Sequence, residues 1–273
     1  MAHTIAVTNQ KGGVGKTTTA LNLCAALASS RRRLLLIDLD PQGNATVGCG
    51  VAKDELAASM FEVILGEASV EAVRLRLDAF GFDLLPANGD LTAASVRLME
   101  LIGRELRLRQ ALSQCLDAYD YILIDCPPSL SMLTVNALVA ANGVLIPMQC
   151  EYYALEGLSD LAATIDEIRA TVNPGLEIEG LLRTMYDPRN RLAMDVSADL
   201  IQHYGDKVYQ TSIPRNVRLA EAPSHGLPIL QYDRYSRGAI AYMRLAGELL
   251  KRREQPGGDG AASTAGPGSA ARR

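Results

Sequence analysis

Thr8-Asn9-Gln10-Lys11-Gly12-Gly13-Val14-Gly15-Lys16-Thr17-Thr18-Thr19 joins a short apolar run, Ile5-Ala6-Val7, to a helical pattern. Leu21, Cys24, Ala25, Leu27 and Ala28 fall on one side of that helix. A strand, a glycine-rich turn and a helix start, in that order, make a phosphate cradle. Glycines at 12, 13 and 15 let backbone N–H groups converge on an anion without Cβ clashes. The helix N-terminus adds its partial positive charge. Lys16 can reach the β- and γ-phosphates of a nucleotide, and the Thr17 hydroxyl suits Mg²⁺. The run from Lys11 to Thr18, Val14 included, is therefore the candidate binding loop for ATP with Mg²⁺.

The loop departs from the general pattern G-x-x-x-x-G-K-[ST] in one respect. The first glycine would fall at position 10, which holds Gln10, and a second lysine, Lys11, lies inside the loop. The string Lys-Gly-Gly-Val-Gly-Lys-Thr resembles the deviant Walker A motif of the ParA/MinD superfamily of ATPases. That resemblance implies that Lys11 crosses a dimer interface to the ATP of the partner subunit. A second cation near the γ-phosphate would stabilise charge developing during transfer. Lys11 and Lys16 are thus both candidate catalytic residues.

The chain has 273 residues, 48% hydrophobic and 21% charged, ample for a buried core. No segment at its start combines basic residues with a long apolar run, and none approaches the ~18 apolar residues of a membrane span. A cytoplasmic protein is expected. The five cysteines, Cys24, Cys49, Cys115, Cys126 and Cys150, are scattered without C-x-x-C spacing and read as buried thiols. A net charge of −4 means that any nucleic-acid surface must be a local patch.

Arg31-Arg32-Arg33 precedes the apolar run Leu34-Leu35-Leu36-Ile37. The arginines mark the solvated end of the first helix or, alternatively, a DNA patch. The leucine run reads as a strand buried on both faces, as parallel sheets require. It delivers Asp38 and Asp40 to the C-terminal edge, where open α/β sheets bind ligands. Two carboxylates there can hold Mg²⁺-bound water and orient an attacking water. The segment resembles the switch I of the same superfamily, in which the residue matching Asp40 acts on that water. Tyr121-Ile122-Leu123-Ile124-Asp125 is a second buried strand ending in aspartate. It has the Walker B pattern, and Asp125 would ligate Mg²⁺ through water beside Thr17. Thr17, Asp38 and Asp125 are the candidate metal residues. Cys126-Pro127-Pro128-Ser129 resembles switch II.

Between these motifs, Ala57 to Leu65 and Ala93 to Leu116 carry helical spacing, the second broken near Gly103, and Phe82 to Pro86 reads as a short strand and turn. Later come a strand at Asn142 to Pro147 and a long amphipathic helix bearing Leu158, Leu161, Ile165 and Ile168. A strand over 178–184, a helix from Asp195 to Tyr204, and Thr211 to Arg218 closing the sheet complete the expected order. A last helix runs from about Gly238 to Arg253. Residues 254–273, rich in Gly, Ala, Ser and Pro, read as a disordered tail behind an ATPase domain of residues 1–253.

The fold expected is α/β, a mostly parallel twisted sheet with helices on both faces, like a P-loop NTPase. Gln149 to Gly157 and Glu221 to Gly226 closely resemble Soj-type ParA members, and the resemblance spans nearly residues 3–253. It implies an ATPase that dimerises around two ATP molecules, binds double-stranded DNA without sequence preference, and associates with the nucleoid. It further implies stimulation of hydrolysis by a ParB-type centromere-binding protein, so that cycling moves a chromosome origin or plasmid. It places Met185, Pro214 and Asn216 near adenine, and matches Arg189 and Arg218 to DNA-binding arginines. His225 is expected to be structural. The main alternative is a MinD-like membrane ATPase, for which Tyr242, Leu245, Leu249 and Leu250 with Lys251 to Arg253 could form a lipid-binding helix. An amide-forming synthetase and a reductase iron protein are the other rivals. The first needs a substrate pocket that the sequence does not locate, and the second needs paired cluster cysteines. No stable membrane association is expected.

Overall fold

A computed structural model describes residues 1–152 and 154–254. The expected tail beyond Glu254 lies outside the described residues. Among the described residues, seven strands form one sheet: β1 His3–Val7, β2 Leu34–Asp38, β3 Leu75–Leu77, β4 Phe82–Leu85, β5 Tyr121–Asp125, β6 Gly143–Gln149 and β7 Glu177–Thr184. Their order is β3-β4-β2-β5-β1-β6-β7. Every pairing is parallel except β3 on β4.

Alternation along the strands sorts side chains to the two faces. Leu35 and Ile37 of β2, with Ile122 and Ile124 of β5, join one apolar cluster. Leu34, Leu36, Tyr121 and Leu123 join the other. Both faces need an apolar cover, so near-continuous apolar runs are what central parallel strands must carry. Helices Met132–Ala140 and Ala154–Thr171 supply part of the first cover. Lys16–Ser29 and the last helix, Arg237–Glu254, supply the second. Those two helices are tied through Thr19 Oγ1 and Tyr242 Oη, 3.2 Å apart and buried.

The register places the site. Val7 pairs with Asp125, and Asp125 with Asp38, so both aspartates stand level with the last residue before the glycine-rich loop. β1 lies between β5 and β6. The chain leaves β1 for β2 on one side and later fills β6 and β7 on the other. A crevice at such a reversal, beyond the C-terminal strand ends, is where open α/β sheets take ligands.

Several expected elements differ in extent. The Ala57–Leu65 pattern yields a helix only over Met60–Leu65, because Ser59 caps it: its Oγ accepts from Phe61 N at 3.1 Å and Glu62 accepts from Ser59 N at 2.7 Å. The Ala93–Leu116 pattern breaks into helices Leu91–Leu98 and Arg107–Leu112 around Gly103, whose φ is 64°. The helix expected from Asp195 begins at Arg191, capped by Asn190. The short edge strand β3 has no counterpart in the sequence reading.

Thr211–Arg218 does not close the sheet with a strand. An isolated bridge joins Pro214 to Tyr186, just past β7, and another joins the preceding Val208 to Leu181 of β7. Ile213 N donates to Arg183 O at 2.9 Å. Pro214 has no N–H to give. Glu248 on the last helix takes the N–H groups of Gln210 and Thr211, at 2.7 and 2.9 Å.

Candidate nucleotide-binding site

The glycine-rich loop is held by its carbonyl oxygens. Lys16 Nζ donates to Lys11 O at 3.0 Å, Gln149 Nε2 to Gly13 O at 3.0 Å, and Thr184 Oγ1 to Val14 O at 2.7 Å. Asn9 braces the entry: its Nδ2 donates to Pro147 O at 2.9 Å and its Oδ1 accepts from Lys11 N at 3.0 Å. With the carbonyls tied back, no partner among the described residues takes the N–H groups of Gly12, Gly13, Val14 or Gly15. Gly15 has φ 88° and Gly13 φ 74°, left-handed values that a Cβ would strain. The Lys16–Ser29 helix starts at once, so its first-turn N–H groups extend the same cradle.

The two lysines occupy different surroundings. Lys16 is buried, and burial holds its ammonium below the ordinary pKa against the opposing pull of Asp125, Cys126 and Asp40. Lys11 has 47% of its side chain exposed, and its ammonium pairs with Glu151 rather than with the cradle.

Three aspartates meet beneath the loop. Asp38 is fully buried and bound to the segment that follows β2: its Oδ2 accepts from Thr46 N at 2.8 Å and from Thr46 Oγ1 at 2.7 Å. Its Oδ1 accepts from Asp40 N at 3.2 Å. Burial pushes its pKa up to about 6, with the Thr46 bonds resisting. Asp40 is nearly buried and accepts from Gln42 N at 2.9 Å. Asp125 is fully buried, and among the described residues neither carboxylate oxygen has a partner in bonding geometry. Burial drives its pKa up, the charges of Asp38 and Asp40 add to this, and the Thr17 hydroxyl and Lys16 oppose it.

An orphaned buried carboxylate is costly unless something cationic or donating meets it. Asp125, with Thr17 opposite, fits a hydrated divalent cation. No cluster of three or more His, Cys, Asp or Glu among the described residues is arranged to hold a metal unaided.

Beside the loop lies a cleft of about 210 Å³, lined in part by Gln149, Glu151, Met185, Tyr186, Asp187 and Arg215. Met185, expected near adenine, has φ 49°, uncommon for a non-glycine residue. Pro214 adjoins this wall through Tyr186, and Asn216 caps helix Val217–Glu221 by accepting from Leu219 N at 3.2 Å.

The sequence profile of a family described as an AAA domain matches residues 2–178. The chromosome-partitioning ATPase Soj of Thermus thermophilus is 54% identical over 248 residues, 91% of this chain and 95% of that one. The chromosome partitioning protein ParA of Caulobacter vibrioides is 49% identical over 250 residues, 91% and 94% of the two chains. The chain belongs to the ParA/Soj family of partitioning ATPases. Among solved structures, cobyrinic acid a,c-diamide synthase of Mycobacterium smegmatis, with bound ATP analog and magnesium, superposes with TM-score 0.82 at 40% identity. That match covers 93% of this chain and 96% of the synthase.

In this ParA/Soj member the surface arginines are not bare. Arg189 has 89% of its side chain exposed and grips Asp187 with two nitrogens, at 3.0 and 2.7 Å. Arg218 donates to Glu221 at 2.9 Å. His225 stacks on Tyr232, ring centroids 4.9 Å apart. All five cysteines are free, and all but Cys115 are buried. Sequence reasoning missed Asn9, Thr46, Gln149, Glu151 and Thr184 as site residues. Gln149 and Thr184 carried a usable signal: each is a polar residue ending a buried strand at the ligand edge.

Proposed function

We propose that the chain is a nucleotide-switched partitioning ATPase. ATP with Mg²⁺ binds the loop Lys11–Thr18, with Thr17 and Asp125 facing the metal. When bound, ATP would supply the transferable phosphoryl group and Mg²⁺ the positive charge that offsets the phosphates. Lys16 neutralises the phosphates of its own subunit, and Asp40 orients water. Lys11 serves the second copy across an ATP-dependent homodimer, which binds duplex DNA without sequence preference and hydrolyses ATP when a ParB-type protein stimulates it.

The observation that carries this reading is the divergence of two lysines in one loop. Lys16 turns inward to the loop, whereas Lys11 stands at the surface, engaged outside the cradle. Two lysines held in such different surroundings suit different tasks, one within its own loop and one toward a second subunit. The DNA and ParB components rest on the partitioning relatives, whose identity to this chain exceeds that of the diamide synthase.

A MinD-like role on membranes is less well supported. Tyr242, Leu245 and Leu249 of the last helix are at most 1% exposed and packed in the core, so they offer no apolar face to lipid. No helix among the described residues is long and apolar enough to cross a membrane.

Light scattering with and without ATP, followed by co-sedimentation with plasmid DNA and with anionic liposomes, tests the proposal. The wild type is expected to dimerise with ATP and sediment with DNA but not with liposomes. Lys11→Ala should bind ATP yet stay monomeric; a mutant that dimerises normally would overturn the role of Lys11.

A further inference from the structure

We infer that Glu151 is a positioning residue for Lys11: it holds that ammonium outside the phosphate cradle of its own subunit, presented for use by a second copy. This rests on the reading that Lys11 acts across the dimer.

The end of β6 and the residues just after it fix the loop at three points. Pro147 O accepts from Asn9, whose other side-chain atom binds Lys11 N. Gln149 donates to Gly13 O. Glu151 then takes the Lys11 ammonium. The first two contacts shape the backbone of the loop, and the third sets where its extra charge points. Without it, a flexible lysine flanking four unpartnered N–H groups would fold back onto any phosphate held there, since an ammonium follows the nearest high charge. Glu151 competes with that collapse. Its side chain is 51% exposed, so the pair is solvated, weak and readily exchanged when a partner's phosphates arrive. An exposed pair of this kind suits a residue that must be withheld in the monomer and released in the dimer.

Two consequences run in opposite directions, which separates positioning from a general structural role. Removing the charge of Glu151 should let Lys11 reach its own phosphates, so the monomer binds ATP more tightly while the ATP dimer weakens. For an exposed pair the expected change is about two- to five-fold each way. Loss of fold or of loop shape would instead weaken both.

The experiment measures Mg²⁺·ATP affinity at protein concentrations below dimerisation, and the ATP-dependent dimerisation constant, for wild type, Glu151→Gln, Glu151→Asp, Lys11→Ala and Lys11→Ala/Glu151→Gln. Glu151→Gln should raise the first and lower the second, and Glu151→Asp should fall between it and wild type. In the Lys11→Ala background, Glu151→Gln should leave ATP affinity unchanged. Equal losses in both quantities, no change in either, or the same gain without Lys11 would each overturn the positioning role. Lys11→Ala that still dimerises would instead overturn the trans reading on which it rests, whatever Glu151→Gln does.

Discussion

Asp125 concentrates the conflict between stability and function in one residue. It is fully buried, unpartnered at both oxygens among the described residues, and close to two further carboxylates. In the nucleotide-free protein this costs stability, because the charged form is desolvated and repelled. With its folded pKa raised above the unfolded value of about 3.9, the carboxyl contributes most favourably at low pH and loses that contribution as pH rises. Asp125→Asn removes the charge and nearly keeps the shape. The nucleotide-free mutant should melt about 2–4 °C higher for each kcal/mol relieved, with the gap over wild type widening as pH rises. It should also lose most of the stabilisation that Mg²⁺·ATP gives the wild type. Melting curves with and without Mg²⁺·ATP decide this; a less stable mutant that keeps the ligand-induced shift would show that Asp125 does not serve the metal. At this scale the sequence disclosed residues whose neighbours fix their meaning. Lys16 follows three glycines and Asp125 ends an apolar strand. It could not disclose Glu151, whose partner in the loop lies 140 positions away.

Among the elements, the last helix does more than cover the sheet. Glu248 accepts from Gln210 N, Thr211 N and Arg252, fastening the segment that runs beside β7. Burial alone would push its pKa up, but the Thr211 and Gln210 donors with Arg252 outweigh burial and leave it below the ordinary glutamate value. A depressed carboxyl pKa gives stability that is complete above the unfolded value, about 4.3, and lost as pH falls through the folded value. Glu248→Gln should therefore lower the melting temperature near neutral pH, with the deficit closing as pH drops below about 4. A deficit constant with pH would assign the effect to packing. The same contact explains an element the sequence misrepresented. Strands β2 and β5 announce themselves because burial on two faces demands unbroken apolar residues. Thr211–Arg218 looks like a closing strand by position, yet its hydrogen bonds are divided between β7 and Glu248, a division visible only after folding.

For the whole molecule, the question is how a chain of net charge −4 would hold the DNA proposed for it. Arg189 and Arg218 are the proposed contacts, and each already has a carboxylate partner, Asp187 and Glu221. Both pairs are solvated surface pairs, worth little by themselves, so a phosphate can displace the carboxylate at small cost. The acid left behind then repels the same phosphate, which makes one subunit a weak ligand. In the proposed dimer, two subunits joined through ATP would double the contacts without altering either, raising avidity through effective concentration. Replacing Arg189 and Arg218 by Glu should weaken binding to all DNA sequences alike and flatten the dependence of log K on log salt by about 0.9 per lost phosphate contact. Asp187→Asn should act in the opposite sense, freeing Arg189 and tightening binding with a steeper salt slope. ATP-dependent dimerisation should survive in both, since neither substitution touches the phosphate loop. A salt series of DNA affinities, with light scattering on the same samples, tests the pair together. If the double Arg→Glu variant keeps its affinity and slope, the DNA surface lies elsewhere on the molecule; if Asp187→Asn binds no more tightly, the ion pair does not restrain Arg189.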